Sequence, residues 1–176
     1  MFDTELRMHK YFGEFLKEKI CSKYIDYTYE VENLFGIPDY VLFEKTQKNI
    51  RYVISIELKL KNWKQGIIQA FRYKNFSNDV YLMIDEKYIK PALNNIDIFK
   101  KYNVGLASFS IDKKFVIYFM PISEKPHSKF YTENLIKELE KEKKILISQR
   151  KINLIEKRTS KNIIKKINKY IIATKK

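Results

Sequence analysis

Asp39, Glu57 and Lys59 are the residues of this 176-residue chain whose types and spacing could do chemistry. Glu57 and Lys59 lie in the run Tyr52-Val53-Ile54-Ser55-Ile56-Glu57-Leu58-Lys59-Leu60. Side chains alternate faces along a strand, so Glu57 and Lys59 share a face with Ser55, while Ile54, Ile56, Leu58 and Leu60 line the other. So dense a β-branched run predicts an interior strand. An acid and an ammonium there are costly unless they are paired, bind metal or take part in a reaction. Asp39 follows Gly36-Ile37-Pro38, a turn from which a hairpin sets it beside Glu57. Downstream, residues 63–76 predict a helix with Gln69, Arg72 and Tyr73 on one face.

Pro38-Asp39, a spacer of 17 residues and Glu57-Leu58-Lys59 together resemble the signature of the PD-(D/E)xK nucleases. Gln69-Ala70-Phe71-Arg72-Tyr73 resembles the Gln-x-x-x-Tyr helix of that superfamily's resolvase-like and exonuclease-like branches. The resemblance spans residues 2–121 and implies a magnesium-dependent endonuclease acting on DNA, in repair, recombination or restriction and defence. Its fold would be α/β: a restriction-endonuclease-like core with a central mixed β-sheet flanked by helices, and a basic helical C-terminal extension.

Cutting a phosphodiester requires charge neutralised on the scissile phosphate and a water made nucleophilic. Mg2+ does both and prefers a few carboxylate oxygens plus retained waters; Mn2+ is expected to substitute. Asp39 and Glu57 supply the anionic pair, and the Leu58 carbonyl between Glu57 and Lys59 is a further oxygen ligand. Lys59, charged beside two carboxylates, orients the attacking water more readily than it abstracts a proton. Gln69 and Tyr73 brace that lysine or hold substrate phosphate, and Arg72 is expected to do the latter. In the resembled family the helix before the sheet often contributes a carboxylate, which points to Glu5 over Glu14 as a metal ligand. Glu5 in a first turn also complements the helix dipole. Two other functions stay open. One is a non-catalytic DNA-binding module on a vestigial core, with Asp39, Glu57 and Lys59 as a buried ion-pair cluster. The other is an RNA-cleaving enzyme, although no feature selects the 2′-hydroxyl.

The elements that must position these residues follow in the order α-β-β-β-α-β-α-β-β. Asp3 or Thr4 caps a first helix running to about Ile20, with Phe2, Leu6, Phe12, Leu16 and Ile20 on its apolar stripe. Glu5 and His9 fall within that stripe. His9 is read as a polar edge residue, because no second histidine has metal spacing to it. Strands are expected over residues 23–32, 80–84, 104–110 and 114–120. A helix is expected over 87–101, broken early by Pro91. Trp63 and Phe71 are expected in the core.

Hydrophobic residues make up 45% of the chain and 25 are Tyr or Phe, which indicates a folded protein. The single cysteine, Cys21, excludes a disulfide framework and a cysteine-rich zinc site. The start of the chain has neither the basic opening nor the apolar core of a signal peptide, and no apolar run is long enough to span a bilayer. A cytoplasmic setting with no membrane partner is expected. No Gly-rich phosphate loop appears, so no nucleotide cofactor is expected.

Charge is concentrated at the end. Of the net +14, residues 143–176 carry twelve Lys or Arg against one acid, Glu156, a net of +11. A segment this basic suits a polyanion, and its bland alternative is a solvated helical face. Pro121 and Pro126 punctuate the chain, dividing a nuclease core at 1–125 from a basic helical extension at 126–176. Lys161, Lys165, Lys166 and Lys169 are the expected DNA contacts. Between them Ile163, Ile164 and Ile167 form an apolar stripe that must pack on the core or on a second subunit of a homodimer.

Overall fold

The structure, a computed structural model, describes residues 1–32, 34–46 and 49–143. Lys161, Lys165, Lys166 and Lys169, and with them the expected DNA-binding tail, lie outside the described residues.

The chain builds an α/β fold around one six-stranded mixed sheet. Its strands are β1 (Ile25–Tyr29), β2 (Tyr40–Lys45), β3 (Ile50–Lys59), β4 (Asp79–Asp85), β5 (Gly105–Phe109) and β6 (Phe115–Phe119). They lie side by side in chain order. β1, β2 and β3 form an antiparallel meander, β3–β4 and β4–β5 are parallel, and β6 returns antiparallel to β5. Each parallel step needs a crossover. Helix α2 (Trp63–Arg72) supplies the first, and α3 (Lys90–Leu93) with α4 (Ile96–Tyr102) the second. β3 is thus interior, as its apolar density predicts.

The alternation of β3 and β4 divides the core in two. Val53, Val80, Leu82 and Ile84 face one side, where α2, α4 and α5 (Lys129–Lys143) pack with Ile67, Phe99, Leu135, Ile136 and Leu139. Ile54, Ile56, Leu58, Tyr81 and Met83 face the other, covered by α1 (Glu5–Phe15) with Met8, Phe12 and Phe15. Each such buried side chain contributes about 1.5–3 kcal/mol of transfer free energy. α5 therefore joins the core through its apolar stripe, although it lies within the stretch read as an extension. Backbone bonds from Glu124 to Asn78, His127 to Lys74 and Ser128 to Asn75 tie its approach to the turn before β4.

Several local expectations are narrowed or corrected. Thr4 is the cap of α1, its side chain accepting from the Arg7 N–H. The α-helix stops at Phe15 and a π-helical turn carries Leu16–Ile20. The buried stripe of α1 runs through Met8, Phe12, Phe15 and Leu16, and Leu6 is 81% exposed. Phe2 precedes the helix, where its N–H bonds to Asp85 at 2.9 Å, so helical spacing cannot be counted from it. β1 is shorter than expected, because Glu30 adopts φ +50° and ends it. The 87–101 helix breaks at Asn94–Asn95, not at Pro91, which sits harmlessly in the first turn of α3. Phe71 is 42% exposed, edge-on to Tyr102, whereas Trp63 is buried as expected. Among the described residues no helix is long and apolar enough to cross a membrane.

Candidate active site

The β2–β3 ladder ends at the pair Tyr40–Ile56. One step further in the same register, Asp39 stands opposite Glu57, and β3 continues to Lys59 with no β2 residue beside it. The Asp39 carboxylate fills that gap: Oδ2 accepts from the Leu58 N–H at 2.6 Å. A residue's N–H and C=O point to the same edge of a strand, so the Leu58 carbonyl also opens towards Asp39.

Glu57 projects to the α2 side of the sheet, and its side chain is only 2% exposed. Its two oxygens are held by different elements. Oε1 accepts from Lys59 Nζ at 2.6 Å, and Oε2 from the Tyr73 hydroxyl at 2.5 Å. Tyr73 begins the 3₁₀ turn that ends α2, and its hydroxyl also lies 2.9 Å from the Ile37 carbonyl. Burial, then the nearby Asp39 charge, raises the pKa of Glu57, against the opposing pull of Lys59 and Tyr73. Burial and the Glu57 charge push the Tyr73 hydroxyl up as well, so it stays protonated as a donor.

Lys59 is held charged. Burial works to lower its pKa, but the bond to Glu57 and the charges of Glu57, Glu5 and Asp39 outweigh it. Its stem lies on α2 at Gly66: a Cβ there would stand 3.0 Å from Lys59 Cγ and 2.5 Å from Leu82 Cδ1. Gly36, at φ +102°, gives the matching clearance for Tyr73, whose Cε1 would be 2.9 Å from a Cβ at position 36. Two glycines thus let the lysine and the tyrosine reach the same carboxylate.

The other expected residues are placed less centrally. Glu5 accepts from the Leu60 N–H at 3.2 Å, two residues along β3 from the Leu58 N–H that Asp39 takes, and lies 3.9 Å from Lys59 Nζ. Gln69 is half-buried, and its Oε1 is sealed from solvent with no hydrogen-bond partner among the described residues. Arg72 turns to the surface, its guanidinium 6.0 Å from the centre of the Phe35 ring. The face expected to hold Gln69, Arg72 and Tyr73 together is therefore split: Tyr73 is buried and Arg72 exposed, as adjacent helical positions do not share a face.

His9 is the residue that sequence reasoning passes over. Its Nε2 lies 3.3 Å from Asp39 Oδ1. Burial works to lower its pKa, but the bond to Asp39 and the Asp39 charge outweigh it, and the net shift is upward. The available signal was Glu5 and His9 one turn apart on α1; its partner is an aspartate, so a search for a second histidine misses it.

Among the described residues, no three His, Cys, Asp or Glu side chains converge as a metal-holding group. The oxygen donors at this end of β3 are the Asp39 and Glu57 carboxylates, opposite each other in the extended register, and the Leu58 carbonyl next to Glu57. These are hard donors, few in number, of the kind Mg2+ takes while keeping several waters. A divalent cation would also relieve the crowding of two carboxylates that raises Glu57. The residues fit magnesium or manganese.

No known family, curated protein or solved structure matches this chain.

Proposed function

We propose that the chain is a Mg2+-dependent endonuclease of the PD-(D/E)xK type, with a restriction-endonuclease-like core, that hydrolyses DNA. One observation carries this reading: Asp39 bonded to the Leu58 N–H beside a buried Glu57 that is paired with Lys59. Asp39, Glu57 and the Leu58 carbonyl would hold the metal, which supplies charge neutralisation and a more acidic bound water. Lys59 stays protonated, so it orients the water and offsets charge on the phosphoryl oxygens. The Leu58 N–H fixes the Asp39 carboxylate, and Tyr73 fixes Glu57 Oε2; both carboxylates are oriented before substrate arrives.

A second reading is a non-catalytic DNA-binding module. The closed Lys59–Glu57–Tyr73 cluster favours it, since a buried ion pair whose bonds are satisfied needs no metal. Incubation with supercoiled, linear, single-stranded and branched DNA, and with RNA, separates the readings. Metal-dependent cleavage of DNA that stops with chelator supports the first. Tight binding with no cleavage under any metal supports the second.

A further inference from the structure

A groove of about 790 Å3 lies between α1 and the end of β1, on the side of the sheet that α1 covers. Its volume falls within the range of roughly 300–1,000 Å3 usual for small-ligand sites. Tyr40, buried, lies at its base, and Tyr11, Tyr29, Arg7 and Lys10 line it with a single acid, Glu30. Tyr29 is 62% exposed, so its ring has a face to offer. Arg7 lies 5.7 Å over the Tyr11 ring and pairs with Asp3 at 3.2 Å, which holds the guanidinium along the groove. His9 joins this groove to the candidate active site: it lines the groove, packs on Tyr40 at 5.6 Å, and lies 3.3 Å from Asp39.

A duplex offers phosphates to a cationic surface but keeps the faces of its bases stacked. A solvent-facing tyrosine in a groove that also carries Arg7 and Lys10 suits an unstacked base, because every base has a π-face and base–aromatic stacking is tolerant of sequence. Arg7 is already paired with Asp3 and Glu30 lies in the lining, so the groove carries little net charge; the exposed Lys10 and continuity with a site read as acting on phosphate favour a nucleotide over a peptide. We propose that this groove receives the unpaired nucleotide next to the scissile phosphate, with its base on Tyr29 and its phosphate on Lys10 and Arg7. The substrate is then a single strand or a single-stranded flap. This assignment rests on the nuclease reading for the position of the scissile phosphate.

The test is fluorescence anisotropy on the full chain in chelator, with a labelled DNA single strand, the matching RNA strand and the blunt duplex. The wild type should bind the DNA single strand more tightly than the duplex. Tyr29→Ala should weaken single-strand binding about five- to a hundredfold while leaving duplex binding unchanged, and Tyr29→Phe should restore it. Lys10→Gln, an exposed helix position, should lower the salt slope of single-strand binding by about 0.7, and this arm stands even if Tyr29→Ala misfolds. Equal binding of RNA and DNA single strands supports the groove with the sugar unread. Wild-type affinity in Tyr29→Ala, a wild-type salt slope in Lys10→Gln, or a preference for duplex overturns the proposal. Failure of the nuclease reading looks different: Tyr29-dependent single-strand binding persists, and no metal supports cleavage.

Discussion

The stem of Lys59 rests on Gly66, where a Cβ would stand 3.0 Å from Lys59 Cγ. The strand that carries the ammonium and the helix behind it meet at a position with no room for a side chain. Gly66→Ala gains about 1 kcal/mol of helix propensity, but overpacking against Lys59 and the buried Leu82 costs typically about 1–3 kcal/mol. The crowding wins. Denaturant unfolding should show a net loss of up to about 2 kcal/mol, and the cleavage rate at saturating DNA should fall as Lys59 shifts. A variant as stable and as active as the wild type would mean that Leu82 and the lysine yield without cost.

Tyr73→Phe removes the only hydroxyl that reaches Glu57 Oε2 among the described residues. Leaving one oxygen of a buried carboxylate unpaired costs about 1–3 kcal/mol, and guanidinium unfolding should register that loss. The carboxylate also becomes harder to ionise, so half-maximal activity should require more Mg2+. An unchanged midpoint in both titrations would assign Tyr73 to packing alone.

Asp79 gives the pH dependence, at the start of β4, the strand beside that of Glu57. Its Oδ2 accepts from the Tyr52 hydroxyl at 2.6 Å, and its Oδ1 is buried with no partner among the described residues. Burial raises its pKa above 3.8, against the hydrogen bonds from Tyr52 and Ser123. The native state then keeps a proton that the unfolded chain has already lost. This contribution is fully present below about pH 3.8 and is lost as pH rises through the folded pKa. Asp79→Asn cannot ionise and escapes the loss. The Tm of the variant minus that of the wild type should therefore increase from about pH 3 to about pH 7, and a constant difference would contradict this.

How much of this was legible in the sequence depended on burial. Ser55, Glu57 and Lys59 were placed on one face because the apolar residues between them leave a strand only one way to lie. Asp39 followed from a turn that permits only a short return. Surface and terminal features were harder to read. Leu6 took the place of Met8 in the expected stripe because Phe2 looked helical and is not. Phe71 looked like core although α2 had already buried Ile67 and Ala70. Arg72 and Tyr73, adjacent at the end of α2, point apart as neighbouring helical residues do, and His9 meets Asp39 through a long-range contact that periodicity does not encode.

Replacing Lys161, Lys165, Lys166 and Lys169 together with glutamine tests the basic tail without touching Ile163, Ile164 or Ile167. Each phosphate contact adds about 0.9 to the slope of log affinity against log salt, so four lost contacts should flatten it by about 3–4. Tm should stay constant. An unchanged slope would make the tail's charge a solvated surface.

The central claim is that Asp39 and Glu57 hold a catalytic divalent metal. Its most direct test is the rate of plasmid cleavage in Mg2+ by the wild type, Asp39→Ala and Glu57→Ala, with DNA affinity measured in parallel. Loss of a principal charge-stabilising group costs about a hundredfold or more in rate. The account predicts cleavage by the wild type, a fall of at least that size in both variants, and DNA affinity close to that of the wild type. Wild-type cleavage rates in either carboxylate variant would contradict it.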